Sequence, residues 1–146
     1  MSYQSTFERP SHAVRIRSRV AATVCVGVSH VLVTLPAQYL IRILTAFRVG
    51  AAPASVAQAS AARDAVVAAS LRCANQDGCL LRSVSSVILC RLRGVWPTWC
   101  VGVHSQPPFS AHAWIEVDGA LINEVLRPES LNRLVSIDPP RPGSSK

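Results

Sequence analysis

Cys79 lies where a turn gives way to a helical pattern of apolar residues. Asp77 and Gly78 are turn and cap formers, and the apolar residues that follow recur at helical intervals. The helix is predicted to begin near Cys79 and to end at Gly94. The unpaired N–H groups and the positive dipole end of a first helical turn favour a thiolate and are able to hold an oxyanion. This pattern predicts a nucleophilic sulfur at Cys79, with simple burial of the thiol as the alternative interpretation.

His112 is the residue that fits the role of activating this sulfur. It lies in a β-prone run, 111–117, that is followed by the dipeptide Asp118-Gly119 and a second β-prone run, which is a hairpin signal. A cysteine at a helix start and a histidine on a later strand form the pair that cysteine-based acyl chemistry uses. The spacing therefore predicts nucleophilic attack on an acyl carbon.

A third group must orient the imidazole, and the register of the hairpin decides which residue supplies it. A two-residue loop places Asn123 on the face of His112, whereas a three-residue loop that begins at Val117 places Glu124 directly opposite His112. The two-residue register would leave the Glu124 carboxylate on an apolar face, where an unpaired charge is costly. We therefore favour the three-residue loop and Glu124, with Asn123 as the alternative third member.

The composition indicates one folded domain and disfavours several other classes of protein. Hydrophobic residues make up 49% of the chain and charged residues 16%, which is typical of a globular protein. The net charge of +7 comes almost entirely from scattered arginines. Because no basic patch with interleaved aromatics is visible, we expect no nucleic-acid binding, and an acidic peptide or protein partner fits the charge equally well.

The cysteines are an odd number, 5, at irregular spacing and without a signal peptide before them. This pattern predicts a reducing, cytoplasmic location. A zinc site typically uses pairs such as C-x-x-C, and because none is present we expect no metal. We also expect no ATP or other cofactor, because the sequence has no G-x-x-x-x-G-K-[ST] loop.

The order of the patterns predicts a single domain with loose ends. The predicted parts are a flexible N-terminus (1–12), one domain (13–137) that consists of an N-terminal helical region (13–53) and a core (54–137), and a disordered tail (138–146). The apolar run 20–35 is shorter than the about 20 residues of a membrane span and is followed by Pro36, so we expect a buried or interfacial segment.

Within the core, three further elements are predicted. Ser55 is expected to cap a helix that runs to about Leu71. Residues 99–104 are rich in β-formers and are expected to form a strand. Residues 130–137 are compatible with either a short helix or an edge strand.

Two blocks of sequence, one around the cysteine and one around the histidine, are specific in combination. With shorter matches they comprise Gly78-Cys79-Leu80-Leu81-Arg82-Ser83, Arg93-Gly94, Gly102-Val103, Pro108-Phe109, Ala111 to Gly119, and Ile122-Asn123-Glu124. This set resembles the leader peptidase, or B-type protein, of lasso peptide biosynthesis. The resemblance covers about residues 54–126. It implies an α+β fold with a papain-like or transglutaminase-like core, in which N-terminal helices precede a catalytic helix packed on a small antiparallel sheet.

The resemblance also implies a function and partners. The protein would be a cysteine peptidase that removes the leader from a ribosomally made precursor peptide. Cys79 would be the nucleophile, His112 the general base and acid, and Glu124 the acidic third member, where many relatives carry aspartate. The implied partners are the precursor peptide, a separate leader-binding recognition protein and an ATP-dependent macrolactam synthetase.

Three residues are weaker candidates for contacts with the substrate or the oxyanion, namely Gln76, Arg82 and Trp114. Each also has a structural interpretation, as a turn residue, a salt-bridge partner and a packing residue respectively. Two other functions remain open. The first is an acyltransferase, because a Cys-His-acid set also transfers acyl groups to amines in transglutaminases and arylamine acetyltransferases. The second is a non-catalytic scaffold that delivers a peptide.

Overall fold

The computed structural model describes residues 16–141, and it has the predicted α+β architecture. The helices of the described part are α1 (Ile16–Leu32), α2 (Ala37–Phe47), α3 (Val56–Ala69), α4 (Leu71–Ala74) and α5 (Cys79–Leu92). The strands are β1 (Ala52–Pro53), β2 (Val95–Trp96), β3 (Thr98–His104), β4 (Ala111–Val117), β5 (Ala120–Leu121) and β6 (Leu131–Ile137). The predicted flexible stretch, 1–12, and the last part of the predicted tail, 142–146, lie outside the described residues.

Helix α5 is the central element, and it begins at Cys79 as predicted. Every residue from Leu81 to Cys90 is buried, because α1, α3 and β4 all pack against this helix. The helix ends at Leu92, shortly before Gly94. Gly94 has a φ of +82°, the left-handed conformation that glycine adopts at low cost after a helix.

Helix α3 starts at the predicted cap. The Ser55 hydroxyl accepts a hydrogen bond from the Gln58 N–H, and the Gln58 side chain accepts one from the Ser55 N–H, which together form a capping box. The helix ends at Ala69 and is followed by the short helix α4, where the sequence predicted one helix to Leu71.

The N-terminal helical region consists of α1 and α2, and α1 is apolar on two faces. One face packs against α3 and α5 and buries Ala22, Cys25, Val26 and Ser29. The other face leaves Val20, Val24, Val28 and Val31 exposed. The predicted burial of this segment therefore holds for one face of α1 only. None of the helices between residues 16 and 141 has the length and hydropathy that crossing a bilayer requires.

The main sheet has the strand order β5-β4-β3-β6, and its neighbouring strands are antiparallel. Strand β6 is one of the two edge strands of this sheet, so of the alternatives left open for residues 130–137 the edge strand is the one found, over Leu131–Ile137. One sheet face joins the core around α5 through Trp99, Ile115 and Val117, and the opposite face carries a smaller cluster centred on Trp114. At the start of the predicted tail, the Asp138 carbonyl accepts a hydrogen bond from Arg48 at 2.6 Å.

Candidate active site

Cys79 is half-buried at the first position of α5. Gly78 before it has no side chain, so no side-chain capping bond occupies the first-turn N–H groups. Packing also demands a glycine here, because a Cβ on Gly78 would lie 1.8 Å from the carbonyl oxygen of Arg72. The hydrogen bond with His112 lowers the pKa of the Cys79 thiol against the opposing effect of burial, and the Ala113 N–H lowers it further.

The other four cysteines show the opposite ionisation behaviour. Burial raises the pKa of Cys25 and of Cys73. It raises the pKa of Cys90 and of Cys100 to about 12. Near neutral pH the thiolate is therefore favoured at Cys79 over the remaining thiols.

His112 lies on β4, directly opposite Gly102 of β3. Its ring stacks on Trp114 with a centroid distance of 5.9 Å and an interplanar angle of 15°. The ring of His104 on β3 lies 5.8 Å away at a tilt of 45°. The imidazole is thus held in place by aromatic neighbours on its own sheet.

The charge state of His112 complements that of Cys79. Interaction with Cys79, followed by interaction with Glu124, raises the pKa of His112 to about 9, although burial lowers it. The two shifts therefore favour the imidazolium–thiolate pair over the neutral imidazole and thiol. Because Nε2 faces Glu124, the ring nitrogen that remains for the sulfur is Nδ1.

The hairpin between β4 and β5 has a two-residue loop, so the three-residue loop favoured from the sequence is wrong. Val117 pairs with Ala120. Between them, Asp118 and Gly119 have positive φ angles of 51° and 81°, as a tight hairpin turn requires.

Glu124 nevertheless reaches the imidazole, because the chain leaves the strand before Glu124. Asn123 has a φ of +50°, a left-handed conformation that changes the direction of the backbone. Its side-chain amide donates to the Ser60 hydroxyl at 2.7 Å and to the Asp64 carboxylate at 3.2 Å, both on α3. Asn123 therefore bonds to α3, and the imidazole is contacted by Glu124.

Glu124 has three charged neighbours and a side chain that is only 9% exposed. Its Oε2 lies 3.4 Å from Nε2 of His112, and its Oε1 lies 3.6 Å from guanidinium nitrogens of both Arg63 and Arg82. Burial raises the pKa of Glu124, but the contact with His112 and the charges of Arg63 and Arg82 outweigh it and lower the pKa. The structure thus brings Cys79, His112 and an ionised Glu124 together.

Trp114 lacks the exposure that a substrate contact requires. It is 2% exposed, and its indole N–H donates to Glu116 at 2.8 Å. Glu116 is in turn paired with Arg133 at 2.7 Å. Its surroundings therefore support the interpretation of Trp114 as a packing residue, whose ring lies against the imidazole of His112.

Arg82 is likewise turned toward the protein. It is 8% exposed, and it donates to the carbonyl oxygens of Cys73 at 3.0 Å and Asn75 at 3.2 Å. These contacts leave it no access to a bound peptide. Gln76 lies in a 3₁₀ turn, Gln76–Gly78, just before Cys79, but its side chain is outside what the structure describes, so its oxyanion role stays a prediction.

The contribution of α3 to the site was not predicted from the sequence. Arg63 contacts Glu124, and Ser60 and Asp64 accept hydrogen bonds from Asn123. The available signal was a set of polar residues one turn apart on an otherwise alanine-rich helix. That spacing indicates a shared face but does not identify its partner.

A cavity of about 620 Å³ lies beside His104, between the loop that follows β3 and the segment that precedes β6. Arg127, Glu129 and Pro108 also line it. The ring of His104 lies 5.8 Å from that of His112, but Cys79, His112 and Glu124 are not among the residues that line this cavity. Among residues 16–141, no three His, Cys, Asp or Glu side chains converge in a way that would hold a metal ion.

Comparison with known proteins agrees with this geometry at the level of the superfamily. The family model described as the transglutaminase-like superfamily matches residues 22–136, which is most of the chain. The searches of curated proteins and of solved structures find no significant match. The superfamily includes both cysteine proteases and acyltransferases. The chain belongs to the transglutaminase-like superfamily, as its cysteine and histidine blocks predicted.

Proposed function

We propose that the protein is a cysteine peptidase that removes the leader from a ribosomally made precursor peptide during lasso peptide biosynthesis. The observation that carries the proposal is the convergence of Cys79, His112 and Glu124, in which His112 lowers the pKa of the thiol, Cys79 raises that of the imidazole, and Oε2 of Glu124 lies 3.4 Å from Nε2 of His112. The assignment to leader removal is supported by the resemblance of the blocks around these two residues to lasso leader peptidases.

In the proposed mechanism the Cys79 thiolate attacks the carbonyl carbon at the leader–core junction. The resulting oxyanion is stabilised by the Cys79 N–H and the adjacent N–H groups of the α5 first turn, which have no side-chain cap. His112 gives its proton to the departing amine, and the C–N bond breaks to leave a thioester. Glu124 keeps the imidazole oriented throughout.

Water completes the reaction. His112, now neutral, takes a proton from a water molecule that attacks the thioester carbonyl. The C–S bond breaks, the leader leaves as a carboxylic acid, and the thiolate–imidazolium pair is restored. An amine in place of water would make the same site an acyltransferase, so the acceptor distinguishes the two activities of the superfamily.

The proposal includes partners and a location. A separate leader-binding protein would present the precursor peptide, and an ATP-dependent macrolactam synthetase would use the new N-terminus of the core. The five free thiols fit a reducing compartment, and we place the reaction in the cytoplasm.

Mass spectrometry of the products tests the reaction class. The wild type, incubated with a candidate precursor and a leader-binding protein, is expected to release two peptides whose masses sum to that of the precursor plus one water. Cys79→Ala is expected to leave the precursor intact, whereas Cys25→Ala, which removes a buried thiol on α1, retains cleavage.

Other outcomes contradict the proposal in distinct ways. A product that retains the acyl mass on an added amine indicates acyl transfer. Cleavage by a folded Cys79→Ala variant excludes Cys79 as the nucleophile. A wild type that binds the precursor and never changes its mass supports the scaffold function.

A further inference from the structure

The carboxylate of Glu124 has a separate partner for each oxygen. Oε2 faces Nε2 of His112 at 3.4 Å, whereas Oε1 faces Arg63 and Arg82, each at 3.6 Å. The charged groups that act on Glu124 thus come from α3, α5 and β4. Rotation of the carboxylate would break at least one of these contacts, so the two arginines limit the orientation from which Glu124 approaches the imidazole.

Arg82 has a second set of contacts in addition to Glu124. One guanidinium nitrogen, Nη1, donates to the carbonyl oxygens of Cys73 and Asn75 at 3.0 and 3.2 Å, while Nη2 faces Glu124. Because the guanidinium is planar and its donors have fixed directions, these contacts constrain each other. One side chain therefore connects the turn that leads into Cys79 with the acid that orients the imidazole.

Both arginines are largely buried, and their charged groups face Glu124 and not the solvent. The side chains of Arg63 and Arg82 are 16% and 9% exposed, and a buried cation is tolerated only where charges and carbonyl groups compensate it. We propose that Arg63 and Arg82 are positioning residues that hold Glu124 against His112, and that Arg82 also fixes the turn before Cys79. The catalytic roles of Cys79, His112 and Glu124 rest on the proposed function, but the experiment that tests the two arginines requires no peptide substrate.

The test measures the rate at which iodoacetamide alkylates Cys79 from about pH 4 to about pH 10. In the wild type the rate changes at an alkaline inflection where the imidazolium, with its pKa raised to about 9, loses its proton. Arg63→Gln is compared with Arg63→Lys, which keeps the charge. Arg42→Gln removes an exposed arginine on α2 as the matched control, and Cys79→Ala gives the background from the other thiols.

Arg63→Gln is expected to move the alkaline inflection downward by about one pH unit, because a released Glu124 no longer stabilises the imidazolium. Arg63→Lys is expected to move it less, and Arg42→Gln not at all. Loss of a positive charge without loss of positioning would move the inflection upward, since repulsion of the imidazolium would decrease. An unchanged or upward inflection in Arg63→Gln therefore overturns the proposal.

Arg82→Lys tests the second part, since lysine keeps the charge and lacks the planar fork. Its acid inflection, which reports the Cys79 thiol, is expected to move upward and its alkaline inflection downward. A profile equal to that of the wild type overturns the role of Arg82. Circular dichroism verifies that each variant folds. If the Arg82 variant does not fold, the Arg63 variants alone test whether an arginine holds Glu124 against His112. If the inflections shift as expected while no peptide is cleaved, the proposed function fails and the positioning role stands.

Discussion

Oε2 of Glu124 lies 3.4 Å from Nε2 of His112, although the two residues are not cross-strand partners in the hairpin. The contact forms because Asn123 takes a left-handed conformation immediately before Glu124. The third group of the site thus depends on one backbone angle and on the hydrogen bonds that attach Asn123 to α3.

Asn123 gives the first prediction. Asn123→Val is expected to reduce cleavage strongly and to lower the free energy of unfolding by about 1 to 3 kcal/mol, because a β-branched residue disfavours a positive φ and the bonds to Ser60 and Asp64 are lost. Asn123→Gly loses the same bonds but accepts the angle, so it should retain more activity. Steady-state cleavage rates and urea unfolding provide the measurement. Equal losses in both variants would show that the angle does not control the site.

The second prediction concerns the ionisation of His112. Its pKa is raised to about 9, with the hydrogen bond to Cys79 as the largest cause. Cys79→Ala is therefore expected to lower the pKa of His112 by about one unit or more, so that the imidazolium is lost at lower pH. NMR titration of the ring protons, assigned with a His112→Gln variant, measures the shift. An unchanged titration would mean that the two side chains do not interact.

The third prediction concerns Glu124 and the pH dependence of stability. Because the pKa of Glu124 is lowered in the folded state, its stabilising effect is present above its unfolded pKa and is lost as the pH falls through the folded pKa. Glu124→Gln is therefore expected to destabilise the protein at pH 7 by about 1 to 3 kcal/mol, since the cations of Arg63 and Arg82 lose their partner.

Unfolding of the Glu124→Gln variant and the wild type, measured from neutral to acid pH, checks this sign. The difference in unfolding free energy should shrink as the pH decreases. A difference that is constant with pH would assign the loss to packing and not to charge. The variant should also cleave about 10- to 100-fold more slowly, because a neutral amide stabilises the imidazolium less.

The fourth prediction concerns Gly102 of β3, which is the cross-strand partner of His112 on β4. A Cβ at Gly102 would lie 2.1 Å from the carbonyl oxygen of Asn132 and 2.9 Å from the Trp114 ring. Gly102→Ala is expected to lower the unfolding free energy by about 1 to 3 kcal/mol and to reduce cleavage, because Trp114 must move and it packs on the imidazole.

Gly27→Ala is the matched control for this substitution. A Cβ on Gly27 meets nothing within 4 Å, and the residue lies inside α1. Alanine there is expected to raise the unfolding free energy by about 0.5 to 1 kcal/mol. Thermal unfolding of both variants measures the contrast, and a stable, fully active Gly102→Ala protein would contradict the packing argument.

Local sequence signals were sufficient to position Cys79 and His112. The Asp77-Gly78 turn and the apolar spacing predicted the start of α5, and Asp118-Gly119 predicted the hairpin that carries His112. Helix starts and tight turns depend mainly on neighbouring residues, so their signals are contained in short stretches.

The surroundings of Glu124 were less accessible from the sequence. The register argument assumed that the second strand of the hairpin continues to Glu124, but β5 ends at Leu121. Contacts with Arg63 on α3 join residues far apart in the chain, and neither helical periodicity nor strand alternation encodes such a pairing. The same limit applies to α1, whose apolar pattern did not reveal that Val20, Val24, Val28 and Val31 are exposed.

The low pKa of the Cys79 thiol is set by a residue that the ribosome adds later. Until β4 has been synthesised and has folded onto α5, the nascent chain carries an unactivated thiol, because its largest pKa-lowering contact, the one with His112, does not yet exist. Glu124 follows later still. An incomplete translation product therefore carries a less nucleophilic Cys79 than the folded chain does.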